Sequence, residues 1–330
     1  MVHKKAKNKH ISPAESVKGK HIHLGIYNLL LYIATNRFSN ASIEFESSQV
    51  VVRLRGLKAH ELNNVKGGKF SITSIGSRSW KVKDRHTCVQ TTNTGESLPK
   101  KIGRTHFSYD RVFDEYASTR EVYEDAGRQL VKRFVEGISG SLLVYGQTSA
   151  GKTHTMQGQG SIKEGSARKE GVIHMTVQDI FRELSNHQCS AFLIRVSVIE
   201  VYNEEIRDLL KDSRDNKVTT RYDSKMGLSI DSAEEFVTDY SSMIDFFSVA
   251  DRNRVVKRVG ENERSSRSHT RYKITLEKRD IGVIGEHEEG TVQISTLNLI
   301  DLAGSDTVRG GKNLLDETQK EGSNINKRYV

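Results

Sequence analysis

Eight consecutive residues constrain this chain more than any others: Gly146-Gln147-Thr148-Ser149-Ala150-Gly151-Lys152-Thr153. They fit the pattern G-x-x-x-x-G-K-[ST], whose glycines let successive backbone N–H groups converge on a phosphate. The pattern carries meaning only between a strand and a helix, because the helix presents its positive end to the anion. Both flanks are present here: Gly140 to Tyr145 reads as a short apolar strand, and a helix follows the loop. In that setting Lys152 reaches the outer phosphates and the Thr153 hydroxyl ligates Mg²⁺. A chance match in a flexible loop is the plain alternative, and the flanking elements weigh against it.

Two weaker elements lie downstream. Asn262-Glu263-Arg264-Ser265-Ser266-Arg267-Ser268-His269 sets small hydroxyls beside a cation just before a strand, although alone it reads as a solvated turn. Asp301-Leu302-Ala303-Gly304 directly follows the apolar strand Leu297 to Ile300. A carboxylate at a strand end is a place to hold Mg²⁺, and Gly304 is placed to aim its N–H at a γ-phosphate. An aspartate there is also an ordinary turn residue. In this order, with these flanks, the three elements form one constellation.

The surrounding pattern is that of an alternating α/β domain. Strands are expected at Gln49–Leu54, Phe192–Tyr202, His269–Asp280 and Val292–Ile300. Helices are expected from the capping box at Ser118 to a stop at Gly137, over Ile173–Asn186 and over Ser241–Val256. Residues 57–104 suggest hairpins and loops. Residues 1–47 differ: they open on a run of lysines and histidines that reads as a solvated, poorly ordered basic tail. The apolar stretch from Ile26 to Ala34 fits either a short helix docked on the domain or sequence without settled structure; it is too short to span a bilayer.

Lys and Arg number 51 against 42 Asp and Glu, a net charge of +9 that favours a polyanionic partner. Cys88 and Cys189 are the two cysteines, with no metal-type spacing, which suits a reducing cytosolic compartment.

The three elements, written Gly-Gln-Thr-Ser-Ala-Gly-Lys-Thr-His-Thr-Met, Asn-x-x-Ser-Ser-Arg-Ser-His and Asp-Leu-Ala-Gly-Ser, resemble the P-loop and the two switches of kinesin motor domains. The resemblance runs from about Gln49 to Lys327. It is supported by Phe113-Asp114, by Thr119-Arg120-Glu121-Val122-Tyr123, by Tyr202 to Leu210 and by Asn324-Ile325-Asn326-Lys327. Lys320 to Asn326 hints at the centromere-associated mitotic group. The resemblance implies a P-loop α/β fold with a mainly parallel mixed sheet and helices on both faces. It also implies Mg²⁺-dependent ATP hydrolysis coupled to movement along microtubules, and so a cytoplasmic, cytoskeletal location. Nucleic acid and membrane insertion are not expected partners, and oligomeric state is left open.

Carried over residue by residue, Arg53, Arg55 and Tyr123 would flank the adenine, Tyr123 stacking on it, with His154 close by. Gly146 to Thr153 would cradle the phosphates. Ser265 and Ser266 would approach the γ-phosphate, and Thr153, Ser266 and Asp301 would serve Mg²⁺. Arg267 would pair with Asp306 as the switches close, and loops after Leu210 and after Asp306 would touch tubulin.

Departures accompany the match. Gly56 stands where kinesins usually have proline, and Asp306 where they usually have glutamate. The family pattern continues beyond Asn326-Lys327 with its main tubulin-binding helices, a central sheet strand and the neck linker. The expectation is therefore a truncated motor domain over residues 48–330, a fragment or an incomplete gene model. Three rivals stand beside the motor. A GTPase is disfavoured because no Asn-Lys-x-Asp motif occurs, and a myosin-like motor because Ser-Arg-Ser-His and Asp-Leu-Ala-Gly are foreign to it. A non-catalytic microtubule- or nucleotide-binding module is the third.

Overall fold

The computed structural model describes residues 29–37, 47–55, 78–84, 87–94, 101–159, 170–186, 191–211, 216–223, 227–256, 267–279 and 292–305. The first strand, β1, is Leu29–Arg37, and β2 is Ser47–Leu54. A three-stranded antiparallel meander follows, β3 (Arg78–Asp84), β4 (Thr87–Thr94) and β5 (Lys101–Ser108), then the short β6 (Arg111–Phe113). The next helical run comprises α1 (Thr119–Val122), a π turn over Tyr123–Gly127 and α2 (Arg128–Val135). The strand β7 (Ser139–Tyr145) leads through the phosphate loop into α3 (Lys152–Gln157) and then α4 (Val172–Asn186). The remaining elements are β8 (Ala191–Tyr202), β9 (Glu205–Asp208), β10 (Thr220–Asp223), β11 (Gly227–Ile230), β12 (Glu235–Val237), α5 (Tyr240–Val256), β13 (His269–Arg279) and β14 (Val292–Asp301).

Local chemistry explains where these elements start and stop. The Ser118 side chain accepts from the Glu121 N–H at 3.2 Å while Glu121 accepts from the Ser118 N–H at 2.6 Å, a reciprocal capping box. Gly137 ends the helical run at φ +94°, a left-handed conformation that glycine adopts without penalty. Between β8 and β9 the turn residues Asn203 and Glu204 both have positive φ, +47° and +67°, as the tight hairpin turn matching strand twist demands.

The main sheet runs β12-β8-β13-β14-β7-β1-β2-β6, with β9 also on β8. It is mixed, but the expected preponderance of parallel pairing is not found. Among the described residues only β2–β6 and β7–β14 pair in parallel, and the other ladders are antiparallel. The long strands β8, β13 and β14 account for this, since each lies alongside its neighbour in opposite direction over about ten residues.

The helices pack on the face carrying Leu142, Val144, Ile194, Val196, Val198, Tyr272, Ile274, Leu297 and Leu299, all at most 1% exposed. Phe247 of α5 meets Tyr272 edge-on, ring centroids 5.3 Å apart, and the Ser295 hydroxyl of β14 donates to the Phe134 carbonyl at the end of α2. The expectation of helices on the opposite face as well lies outside the described residues. In β2 the successive residues Val50, Val51 and Val52 are all buried, the mark of a strand covered on both sides.

Residues 29–37 depart from both expectations for the N-terminal segment, forming neither a docked helix nor unsettled chain. They make a strand between β2 and β7, paired antiparallel with both. Among the described residues, no helix is long and apolar enough to cross a membrane.

Candidate nucleotide site

The site forms where the parallel strands β7 and β14 end side by side, Asp301 opposite Val144. Such strand ends are where open α/β sheets place ligands. The phosphate loop leaves β7 at Gly146, turns through Ser149 (φ +65°) and Gly151 (φ +91°), and enters α3. These two left-handed residues curl the backbone into the concave shape that gathers N–H groups. The Ala150 N–H donates to the Gln147 carbonyl at 3.0 Å and closes the turn.

Lys152 is buried, and its ammonium bonds the Gly146 and Gln147 carbonyls, each at 2.9 Å. The charge thus sits folded over the loop, within reach of whatever anion the loop cradles. The Thr153 hydroxyl lies 2.7 Å from Asp301 Oδ2, joining two motifs far apart in sequence. The strand-end segment is also tied to the loop, because the Ser305 N–H donates to the Gly146 carbonyl at 3.1 Å and that of Leu302 to the Val144 carbonyl at 3.2 Å. The Ala303 N–H donates to His269 Nδ1 at 3.2 Å, which brings the start of β13 beside Gly304.

Behind Asp301 lies a buried charge cluster that sequence reasoning missed. The Arg254 guanidinium of α5 is 3.3 Å from Asp301 Oδ2 and 3.9 Å from Glu200 Oε1, all three side chains at most 3% exposed. Burial works against the charge of Arg254, yet the carboxylates of Asp301, Glu200 and Asp251 raise its pKa above the ordinary guanidinium value. Next to it, Gln157 Nε2 bonds Asp251 Oδ1 at 2.9 Å and the Tyr272 hydroxyl at 2.7 Å, and that hydroxyl bonds Asp251 Oδ1 at 2.7 Å. Burial and then Asp251 push the Tyr272 phenol well above its usual range, so it stays a protonated donor. This triad links the end of the phosphate-loop helix α3 to α5 and β13.

A divalent cation suits the residues present. Asp301 Oδ1 is buried with no hydrogen-bond partner among the described residues, beside the Thr153 hydroxyl. Mg²⁺ takes one or two protein oxygens and fills its octahedron with water and phosphate.

The other expected site residues are distributed unevenly. Arg55 lies over the loop, its Cδ 3.7 Å from the position a Cβ on Gly151 would take. His154 follows Thr153 on α3, half-buried. Arg53 turns inward from β2, donating to Thr119 Oγ1 at 3.1 Å, Thr155 Oγ1 at 3.0 Å and the Ala117 carbonyl at 2.8 Å. It acts as a strut between β2, α1 and α3. Tyr123 requires a correction: its ring is 1% exposed, and its hydroxyl lies 2.9 Å from Asp179 Oδ2 and 3.2 Å from the Met175 carbonyl. A ring so enclosed offers no face for a base to stack on. Arg267 is half-buried at the start of the segment leading into β13. Its expected partner Asp306, together with Ser265, Ser266 and the loop after Asp306, lies outside the described residues, as does most of the loop after Leu210.

Comparison with known proteins agrees with this arrangement. The family model for the kinesin motor domain matches residues 53–329. Kinesin-like protein KIN-7I of Oryza sativa subsp. japonica is 33% identical over 291 residues, 86% of this chain and 21% of that protein. Centromere-associated protein E of Homo sapiens is 36% identical over 231 residues, 68% of this chain and 8% of that protein. The chain thus spans about a fifth or less of these two relatives. A solved structure of a fast kinesin superposes with a TM-score of 0.67 at 27% identity, covering 83% of this chain and 70% of the other. Phosphate loop, strand-end carboxylate, structural likeness and family match converge: the chain belongs to the kinesin motor-domain family.

Proposed function

We propose that this chain binds ATP with Mg²⁺ at the loop Gly146 to Thr153 and hydrolyses it, and that microtubules stimulate the reaction and are the track. The observation that supports this most is the 2.7 Å contact between Thr153 Oγ1 and Asp301 Oδ2, which unites the phosphate loop with the strand-end carboxylate. In this reading the loop amides and Lys152 hold the phosphates, while Thr153 and Asp301, the latter through water, hold the metal with Ser266. Bound Mg²⁺ offsets negative charge on the phosphates. Ser265, Ser266 and Gly304 surround the γ-phosphate. Arg267 and Asp306 close over the attacking water, so that rate acceleration comes from positioning and fixed charge rather than covalent catalysis.

Arg55 and His154 border the base in this reading, Arg53 fixes β2 against the loop helix, and Tyr123 serves the core. The net charge of +9 suits an acidic polymer such as tubulin.

Co-sedimentation of the 330-residue chain with microtubules, with and without a non-hydrolysable ATP analogue, tests the reading. Pelleting that changes with nucleotide, and that loses this dependence in Lys152→Ala, is the expected result. A folded chain that pellets equally under all conditions fits instead the non-catalytic module, and one that never pellets contradicts the microtubule assignment.

A further inference from the structure

The strand β1 lies outside the matched family segment, which starts at residue 53, yet it occupies the middle of the sheet. On one side it pairs antiparallel with β2, from Leu29 opposite Leu54 to Asn36 opposite Ser47. On the other it pairs antiparallel with β7, from Leu31 opposite Tyr145 to Arg37 opposite Ser139. The strands β2 and β7 are not neighbours; in the sheet order β1 stands between them. Among the described residues, every ladder path from β2, which carries Arg53, to β7, which leads into the phosphate loop, therefore crosses residues 29–37.

Without this strand two long edges would face each other across a slot about 9.6 Å wide, twice the usual spacing between strands. Their backbone N–H and C=O groups would lose partners in the interior of the sheet, where unpaired groups are costly. The sequence suits the place, since Leu29-Leu30-Leu31-Tyr32-Ile33-Ala34 has the near-continuous apolar run of a strand covered on both faces. The pairing partners are equally apolar, Val50, Val51 and Val52 in β2 and Leu142, Leu143 and Val144 in β7.

We propose that residues 29–37 are an in-chain donor strand that completes the sheet and holds the phosphate loop in register with β2. Residues 29–37 are then a working part of the nucleotide-binding domain, and the slot between β2 and β7 is a strand-accepting site for a peptide of this sequence. Main-chain pairing supplies the affinity, as in other strand-addition complexes.

Two measurements on the full chain test this. In hydrogen exchange the amides of residues 29–37 are expected to be as protected as those of 139–145. Exchange of 29–37 at the rate of free peptide would overturn the proposal, whatever the nucleotide does. The second is the variant Ile33→Pro, which removes a donor from the centre of the strand. It is expected to lower Tm and to weaken binding of a fluorescent ATP analogue at least tenfold, while Lys18→Pro, upstream of the strand, leaves both unchanged. A synthetic peptide of residues 27–39 added in excess is expected to restore part of that loss, and the same peptide carrying Ile33→Pro is not. Wild-type Tm and affinity in Ile33→Pro would contradict the proposal. Protected strand amides together with a wild-type chain that binds no ATP analogue would leave the donor strand standing and reject the nucleotide reading.

Discussion

Thr153 Oγ1 and Asp301 Oδ2 meet at 2.7 Å although 148 residues separate them in the chain. The contact exists because β7 and β14 are parallel neighbours, so the loop leaving one strand and the carboxylate ending the other emerge at the same edge. The proposed function rests on that adjacency. Replacing Asp301 by Asn keeps the shape and removes the charge that answers a metal. Titration of a fluorescent ATP analogue with and without Mg²⁺ is expected to show a large Mg²⁺ dependence in the wild type and a dependence reduced at least tenfold in Asp301→Asn. Equal dependence in both would remove Asp301 from the metal site.

Arg254 is the cation that makes this buried carboxylate tolerable. Truncating it in Arg254→Met takes the arginine's charge away from the enclosed Asp301 and Glu200, and breaking a buried pair in that way costs about 3–5 kcal/mol. Chemical denaturation reads the loss directly. A change below about 1 kcal/mol would show that the two carboxylates find other compensation.

Much of this was legible in the sequence, for reasons specific to particular residues. Lys152, Thr153 and Asp301 sit at fixed offsets inside short contiguous motifs, so they could be singled out without knowing the fold, and the structure brings Thr153 and Asp301 together. Tyr272, Ile274 and Leu276 showed the two-residue period of a half-buried strand, and all three are buried. Arg254 left no such trace: Arg252 and Arg254 flank Asn253 in one helix, and only packing decides that Arg254 turns inward while Arg252 stays exposed. The enclosure of Tyr123 was equally hidden, because the π turn beginning there shifts the helical register that periodicity assumes. The strand Leu29–Arg37 escaped because a short apolar run has no period to separate strand from helix, and its partners are distant in sequence.

Tyr272→Phe removes the hydroxyl that bonds Asp251 and accepts from Gln157, leaving a carboxylate oxygen and an amide with fewer partners. The expected cost is about 1–3 kcal/mol. Because Gln157 ends α3, nucleotide affinity is expected to fall as well. Unchanged stability in thermal unfolding would mean that the triad is replaceable by water.

Gly171 admits no side chain. A Cβ there would lie 2.3 Å from the Gln157 carbonyl carbon and 2.4 Å from the Gly158 nitrogen, both backbone atoms. Gly171→Ala must push α3 away from α4, with an expected loss of about 1–3 kcal/mol and weaker nucleotide binding. Wild-type Tm in this variant would contradict the close approach.

Acid is expected to loosen the hold of β9 on the segment carrying Lys217. Hydrogen bonds from Lys217 and then Arg207 hold the Glu205 carboxyl down to about 2, against an ordinary value of 4.5. A depressed carboxylate adds stability that is fully present above pH 4.5 and is lost as pH falls towards 2. The pair is exposed, so the effect is small and screened by salt. In Tm measurements at low ionic strength, the difference between wild type and Glu205→Gln is expected to shrink across that window. A difference independent of pH would contradict the assignment.

Phosphate release from ATP by the 330-residue chain, measured with and without microtubules beside Lys152→Ala, tests the proposed motor activity most directly. The account predicts slow release by the wild type alone, a rise of tenfold or more on adding microtubules, and background release from the variant under both conditions. Release that is the same in wild type and Lys152→Ala, or that microtubules leave unchanged, would contradict it.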